Sequence, residues 1–273
     1  MHSATAPAAT VQLAAVASIA IQPLLTRPTR SGRLLGVSDH AAWIGIDDEV
    51  AVVSDREAVR LPNAVELDLD RIGRWANRDD AVSVGDGIIR VGQLSAVVRR
   101  WFDPRPALGQ CATSYLGTNL EEMRGMTPSL IDAGLHDALA RRDVEAIIDG
   151  CFRLLGSGEG LTPEGDDLVA GALASHLLLG RATGRDVSYM DQLVQPLGDL
   201  ARTRTTSFSG ALLRHALHGR VATPFADVLR SLTGRGELLT AVQRLLGVGH
   251  SSGPALAAGI LTGGGAITLE NAP

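Results

Sequence analysis

The spacing of apolar residues changes once along this chain, and that change constrains the fold more than any other feature. Between about Gly32 and Val98, short apolar runs alternate with turn residues, which is the pattern of β-strands. From Thr127 onward the apolar residues recur with the period of helices, and several segments begin with Thr-Pro or Gly-Pro. We therefore predict an α+β fold, in which a β-rich N-terminal domain precedes an α-helical C-terminal domain.

The first part of the chain predicts closely spaced, antiparallel strands. Its turns follow one another too closely to leave room for the helices of parallel crossovers. We expect a small antiparallel sheet or a barrel, with a packed helix or strand within residues 11–25. The six predicted strands are 33–37, 41–46, 50–53, 65–69, 81–84 and 88–91.

Two prolines within Trp101–Pro106 interrupt regular structure and mark the end of the first domain. The predicted organisation is a β-rich domain at 1–106, a connector at 107–126 and a helical domain at 127–273. The predicted helices are 128–141, 143–155, 163–180, 187–202, 207–218, 224–232, 236–246 and 254–262.

Composition excludes several classes of function. The net charge is −5, and Lys and Arg are scattered rather than clustered, which argues against a nucleic-acid partner. Cys111 and Cys151 lie far apart, so they indicate neither a disulfide framework nor a zinc site and fit a reducing cytoplasm. The apolar stretch 11–25 is too short to span a bilayer, and we expect a cytoplasmic protein without a membrane anchor.

The most informative short segment is residues 156–167, Gly-Ser-Gly-Glu-Gly-Leu-Thr-Pro-Glu-Gly-Asp-Asp. Its glycines allow positive φ angles, and Thr162 is predicted to cap a helix whose first residue is Pro163. Free N–H groups and the helix dipole attract an anion at such a place. Gly158, Gly160 and Thr162 are therefore candidate substrate-binding residues.

Asp166 and Asp167 are predicted to lie in the first turn of that helix. Two carboxylates repel an anion unless a cation or an arginine lies between them. They are candidate catalytic residues, as proton acceptors, and candidate ligands of a divalent cation such as Mg²⁺. The alternative is that both aspartates only complement the helix dipole.

A second glycine-rich turn precedes the proline at position 254, in the segment Gly247–Pro254. His250 within it is a candidate catalytic acid or base, because glycine and serine rather than an apolar face surround it. Ser251 and Ser252 are candidate ligands of substrate oxygens. Helix capping is the alternative role of these serines.

A third cluster, Arg202–Gly210, combines arginines with hydroxyl residues at a helix start. Arg202 and Arg204 offer forked donors that suit a carboxylate or phosphate, and Thr205 and Thr206 offer short ones. These four residues are candidate substrate-binding residues. Solvated arginines and a helix cap are the alternative.

Taken together, the three clusters resemble those of a known family. Gly160–Asp167 is similar to the Gly-Leu-Thr-Pro-x-Gly-Asp-Asp signature of the oxamate carbamoyltransferase subunit family, the AllH-like proteins. Thr205–Ser209 and Gly249–Gly253 match that family's later blocks in the same order. The resemblance covers roughly residues 30–265 and is strongest from residue 150 onward.

The resemblance implies a role in allantoin degradation, where such a subunit is associated with the interconversion of oxalurate with oxamate and carbamoyl phosphate. It implies other carbamoyltransferase subunits as partners, but it assigns no catalytic positions. We therefore favour a carbamoyltransferase subunit whose three helix starts form one substrate pocket. A non-catalytic ligand-binding or assembly subunit, and a Mg²⁺-dependent phosphoryl-transfer or hydrolytic enzyme, remain as alternatives.

Overall fold

The computed structural model describes residues 11–269. The chain divides into two compact units, residues 1–103 and 104–273. The first contains an eight-stranded barrel and the second is helical, which confirms the predicted α+β class and the order of its two parts. The outer ends of the two predicted domains, 1–10 and 270–273, lie outside the described residues.

Eight strands, β1 to β8, form the barrel. In chain order they are Val11–Ser18, Arg30–Val37, Ala41–Ile46, Glu49–Ser54, Ala64–Leu67, Val82–Gly85, Ile88–Val91 and Leu94–Phe102. Short 3-10 helices at Ile19–Ile21 and Ile72–Arg74, and the one-turn helix α1 at Gln22–Leu25, lie between strands. The predicted helix or strand within residues 11–25 is thus mainly a strand.

Neighbouring strands follow the order β1-β5-β4-β3-β2-β6-β7-β8 around the closed barrel. Most ladders are antiparallel, as predicted, but β1 pairs with β8 and β4 with β5 in parallel. The expectation of antiparallel pairing throughout is therefore wrong at these two ladders. Residues 55–63 make the second one possible, because they return the chain to the level of Val52, beside which β5 begins.

Small and β-branched side chains fill the inside of the barrel. Ile44, Val53, Val65 and Ile89 are buried in one apolar cluster. Such residues suit closely packed strands, and closure leaves no exposed sheet edge. The last strand, β8, is not among the six predicted strands. It continues to Phe102, where its final residues pair with β1.

Nine further helices, α2 to α10, are present in the described part of the second unit. They are Thr113–Arg124, Leu135–Ala140, Val144–Leu154, Glu164–Ala182, Val194–Arg204, Ser207–Ala216, Thr223–Leu232, Leu238–Leu246 and Ser252–Leu269, and a 3-10 helix at Ser188–Leu193 precedes α6. The stretch 107–126, interpreted as a connector, contains α2.

Three predicted helices differ from the observed ones. In the one predicted at 187–202, the first part is the 3-10 helix Ser188–Leu193. Residues 128–134 are not helical, because Asp132 accepts hydrogen bonds from the N–H groups of Gly134 and His136 and so forms a turn before α3. The helix predicted at 254–262 begins earlier and continues through three glycines to Leu269. Glycine disfavours an isolated helix, but packing outweighs that preference here.

The packing that stabilises α10 is a close contact with α5. A Cβ added to Gly259 would lie 2.5 Å from the carbonyl oxygen of Leu168, and one added to Gly263 would lie 2.0 Å from that of Ala172. Only glycine lets the two backbones approach this far. The contact fixes the starts of α5 and α10 next to each other.

Helix α10 is also long and apolar enough, by length and composition alone, to cross a membrane. Within the helical unit, however, 72% of it is buried against other parts of the protein. This is the environment expected of a core helix.

Candidate functional site

The glycine-rich loop before α5 has the backbone geometry that its sequence predicts. Gly156, Gly158 and Gly160 have φ angles of +83°, +109° and +93°. A Cβ at Gly156 would lie 2.2 Å from the carbonyl oxygen of Arg204, whereas one at Gly160 would meet no atom within 4 Å. The first glycine is therefore required by close packing as well as by its φ angle, while the last lies at an exposed bend.

The helix itself begins one residue later than predicted. Pro163 is the N-cap and α5 starts at Glu164, with no side chain capping it. The predicted capping role of Thr162 is therefore wrong. Its hydroxyl oxygen lies instead 2.9 Å from the hydroxyl oxygen of Ser252, at the start of α10.

Asp166 ties the loop to a second segment of the chain. Its side chain is only 1% exposed. The N–H group of Gly156 donates to Oδ1 at 2.7 Å, and the hydroxyl of Thr205 donates to Oδ2. Both carboxylate oxygens thus accept hydrogen bonds from the protein, which stabilise a buried charge.

Asp167, the next residue, lies in a different environment. It is 6% exposed, and Oδ2 is buried with no hydrogen-bond partner among the described residues. Burial raises its pKa to about 7, and the charges of Asp166 and Glu164 add to that rise, while hydrogen bonds with Ser252 and Thr162 oppose it. Near neutral pH both protonation states of Asp167 are therefore populated.

The segment that contains Thr205 contacts the loop at a further point. The hydroxyl of Thr206 donates to the carbonyl oxygen of Leu161 at 2.6 Å and accepts from the N–H group of Ser209 at 3.1 Å. Thr206 is thus the N-cap of α7, the alternative role considered for this cluster. Hydroxyl groups from two other segments therefore adjoin the start of α5.

The two arginines of the third cluster make contacts on exposed faces. The guanidinium of Arg204 lies 4.2 Å from the centre of the Phe152 ring and donates to the Phe152 carbonyl oxygen at 3.2 Å. Arg202 forms an ion pair with Asp199, one turn earlier on α6. Their role as substrate ligands stays a prediction.

Of the residues predicted to bind substrate or act in catalysis in the turn before α10, only some lie close to the start of α5. Ser252 contacts Thr162, and Ser251 lies half-buried beside it. His250 is exposed and makes no hydrogen bond within residues 11–269. A Cβ on Gly253 would lie 2.1 Å from the carbonyl oxygen of Leu245, so glycine is required for the turn to pack on α9. The catalytic role of His250 stays a prediction.

A metal at the two aspartates also stays a prediction. Across the residues that the structure describes, no group of three or more His, Cys, Asp or Glu side chains is arranged to hold a metal ion. Both oxygens of Asp166 accept hydrogen bonds, whereas Oδ2 of Asp167 is buried and has no hydrogen-bond partner among the described residues.

Sequence reasoning missed two apolar residues that flank the loop. Phe152 is 46% exposed and Leu161 is 45% exposed. Phe152 lies at the end of α4, on the side opposite the buried residues Cys151 and Leu154. That position in the helical period is the signal that could have identified it.

Comparison with known protein families gives a match that covers this part of the chain. Residues 154–264 match the family model described as oxamate carbamoyltransferase subunit AllH. The match begins just before the glycine-rich loop and ends within α10, so it includes all three clusters. It confirms the resemblance over residues 154–264, where the helical unit is AllH-like. No solved structure matches the chain.

Proposed function

We propose that this chain is a subunit of an oxamate carbamoyltransferase and that it binds carbamoyl phosphate or a small carboxylate at the start of α5. One observation carries the proposal. Asp167 is buried with an unpartnered oxygen, beside a glycine-rich loop and the hydroxyls of Thr162 and Ser252. An acid of this kind, next to anion-binding N–H groups, suits proton transfer from a substrate held there.

The reaction to be supported is the transfer of a carbamoyl group to an amide. The amide nitrogen of oxamate attacks the carbonyl carbon of carbamoyl phosphate, and a C–N bond forms. The bond between that carbon and the phosphate oxygen breaks, and phosphate leaves with the electron pair. The nitrogen loses one proton, so the products are oxalurate and hydrogen phosphate.

Asp167 accepts the amide proton in this proposal. With a pKa of about 7, its carboxylate is a stronger base than an ordinary aspartate and is still substantially ionised at neutral pH. Asp166 is a positioning residue, because its hydrogen bonds fix Gly156 and Thr205 around the first turn. His250, which is exposed at the turn before α10, protonates the leaving phosphate.

The anionic groups of the substrates are bound by backbone and hydroxyl donors. N–H groups at Gly158 and Gly160 hold phosphate or carboxylate oxygens, with the dipole of α5 behind them. Hydroxyls of Thr162, Ser251 and Ser252 complete the site. Those of Thr205 and Thr206 already donate to Asp166 and to the Leu161 carbonyl, so these two residues position the loop. Arg202 and Arg204 reorient from their present exposed contacts to pair with the remaining charge.

Calorimetric titration of the purified chain with carbamoyl phosphate and with oxamate, each with and without Mg²⁺, tests the proposal. We expect heat of binding from at least one substrate. Asp167→Asn should bind but lose transfer activity in the assembled enzyme by about 100-fold or more. The matched control is Asp149→Asn, on the exposed face of α4, which should retain both.

An assembly role is the second candidate, and the exposed Phe152 and Leu161 favour it. In that case other subunits cover the loop and perform the transfer. No heat in any titration would contradict ligand binding by this chain and support the second candidate. Phe152→Ser should then weaken co-sedimentation with the other carbamoyltransferase subunits.

A further inference from the structure

We propose that a cavity in the helical unit binds a free amino acid with an aliphatic side chain. The cavity has a volume of about 490 Å³ and lies between the end of α2, the turn before α3, and the middle of α10. Its size falls in the range of small-molecule sites. It shares no lining residue with the cluster at the start of α5, so it is a separate site.

His136 supplies a hydrogen-bond acceptor to this cavity. Its Nδ1 lies 3.1 Å from the carbonyl oxygen of Thr262, and a carbonyl can only accept, so Nδ1 carries the proton. In the neutral ring Nε2 is then an acceptor. Nε2 has no hydrogen-bond partner within the described part of the chain, so it is available to a ligand N–H group.

The charged residues around the cavity differ in what they already bind. Both oxygens of Asp132 accept backbone N–H groups. The carboxylate of Asp137 makes no hydrogen bond with any described residue, and Arg124 uses its Nε to pair with Glu121. The carboxylate of Asp137 and the remaining N–H groups of Arg124 are therefore the charges open to a ligand.

These groups complement the two charged groups of a free amino acid. The carboxylate of the ligand pairs with Arg124, and its ammonium group donates to Asp137 and to Nε2 of His136. The apolar part of the lining, which includes Leu130 and Leu261, receives an aliphatic side chain. A ligand with one charge alone would leave either the guanidinium or the carboxylate without a partner.

Calorimetric titration of the full chain with four probes tests each part of this recognition. L-leucine has all three groups, 4-methylpentanoate lacks the ammonium, 3-methylbutylamine lacks the carboxylate, and glycine lacks the side chain. We expect L-leucine to bind at millimolar concentration or below and each of the others to bind at least about tenfold more weakly.

Variants assign the binding to this cavity. Arg124→Gln and Asp137→Asn should each weaken L-leucine binding about tenfold or more. Arg141→Gln and Glu145→Gln, on neighbouring exposed positions that do not line the cavity, are the matched controls. Thermal unfolding of each variant shows whether it is folded, and all four substitutions are at exposed sites that should tolerate them.

Three results would overturn the proposal. They are no heat with L-leucine, equal affinity for L-leucine and either singly charged analogue, and unchanged affinity in both cavity variants. None of these results depends on carbamoyl transfer, so the experiment tests the amino acid site independently of the proposed function.

Discussion

The two glycine-rich turns of the helical unit, residues 156–160 before α5 and 247–249 before α10, are similar in sequence but are held in different ways. The first depends on a buried side chain, because Asp166 accepts its first N–H group at 2.7 Å. The second is closed by the backbone alone, with the N–H of Gly253 donating to the carbonyl of Val248 at 2.9 Å.

The comparison separates the backbone shape, which the glycines allow, from the side chains that the following helix places at the turn. In both turns a glycine with positive φ allows a sharp bend. Only the first turn also needs a close approach, because a Cβ at Gly156 would lie 2.2 Å from a carbonyl oxygen, whereas one at Gly249 would meet no atom closer than 3.6 Å. The first turn of α5 then adds two buried carboxylates, whereas α10 adds the hydroxyl of Ser252 and follows an exposed His250. We therefore expect the residues that react with substrate to lie at the start of α5, and those at the start of α10 to help position them.

The largest expected effect concerns Asp167 and would show whether the α5 turn contains a buried acid. Its pKa is raised from 3.8 in the unfolded chain to about 7 in the folded protein, so the folded state binds a proton more tightly than the unfolded one. The stability that this proton contributes is fully present below pH 3.8 and is lost as the pH rises through about 7. The loss amounts to as much as about 4 kcal/mol. We expect Asp167→Asn to gain stability relative to the natural protein over that range.

Urea unfolding of both proteins at acidic and at mildly alkaline pH measures this difference. A gap between them that stays constant with pH would contradict the raised pKa of Asp167.

Removal of Asp166 tests the side-chain support of the same turn. Asp166→Ala leaves the N–H of Gly156 and the hydroxyl of Thr205 without their acceptor. We expect the free energy of unfolding to fall by about 3 kcal/mol. Asp149→Asn, which breaks an exposed ion pair with Arg153, is the control and should cost less than about 1 kcal/mol. Equal losses in the two variants would show that the turn does not depend on Asp166.

A pair of glycine substitutions separates backbone strain from steric clash. Gly156→Ala and Gly160→Ala both place alanine at positive φ, which costs about 1–2 kcal/mol. Only the first also brings a Cβ within 2.2 Å of a carbonyl oxygen. We expect Gly156→Ala to lower the free energy of unfolding by about 2 kcal/mol more than Gly160→Ala. Equal costs in chemical denaturation would mean that the loop shifts freely to accept the methyl group.

The smallest expected effect is at the second turn. His250 is exposed and has no hydrogen bond in the described residues, so His250→Ala should change the free energy of unfolding by less than about 0.5 kcal/mol. Thermal unfolding measures this change. A larger loss would show that His250 supports the turn, and any fall in transfer activity could then not be assigned to its chemistry.

The fold was predictable where local pattern determines it. Alternating apolar runs identified six strands, and the helical period identified most helices. Parallel pairing of β4 with β5, and of β1 with β8, depends on where the chain returns and not on local sequence. The end of α10 was missed for a related reason, because its glycines are stabilised by tertiary contacts with α5, α2 and α3.

The candidate site was predictable as a set of segments but not as a set of bonds. Glycine and hydroxyl patterns identified the three helix starts. The sequence did not show that Asp166 binds Gly156 and Thr205, which lie 10 and 39 residues away, because only the tertiary fold brings these groups together. For the same reason Thr162 was expected to cap its own helix rather than to contact Ser252.

The glycine contact between α5 and α10 has a consequence for amide hydrogen exchange. Backbones that touch at Gly171, Gly259 and Gly263 cannot open one at a time, so the central amides of both helices should exchange only through unfolding of the whole unit. The amides at 158–161 lie in the exposed loop and should exchange orders of magnitude faster. A substrate that binds the loop would then slow exchange at a few loop amides, while the amides of α5 and α10 exchange too slowly to change. Exchange at the loop therefore measures substrate binding directly.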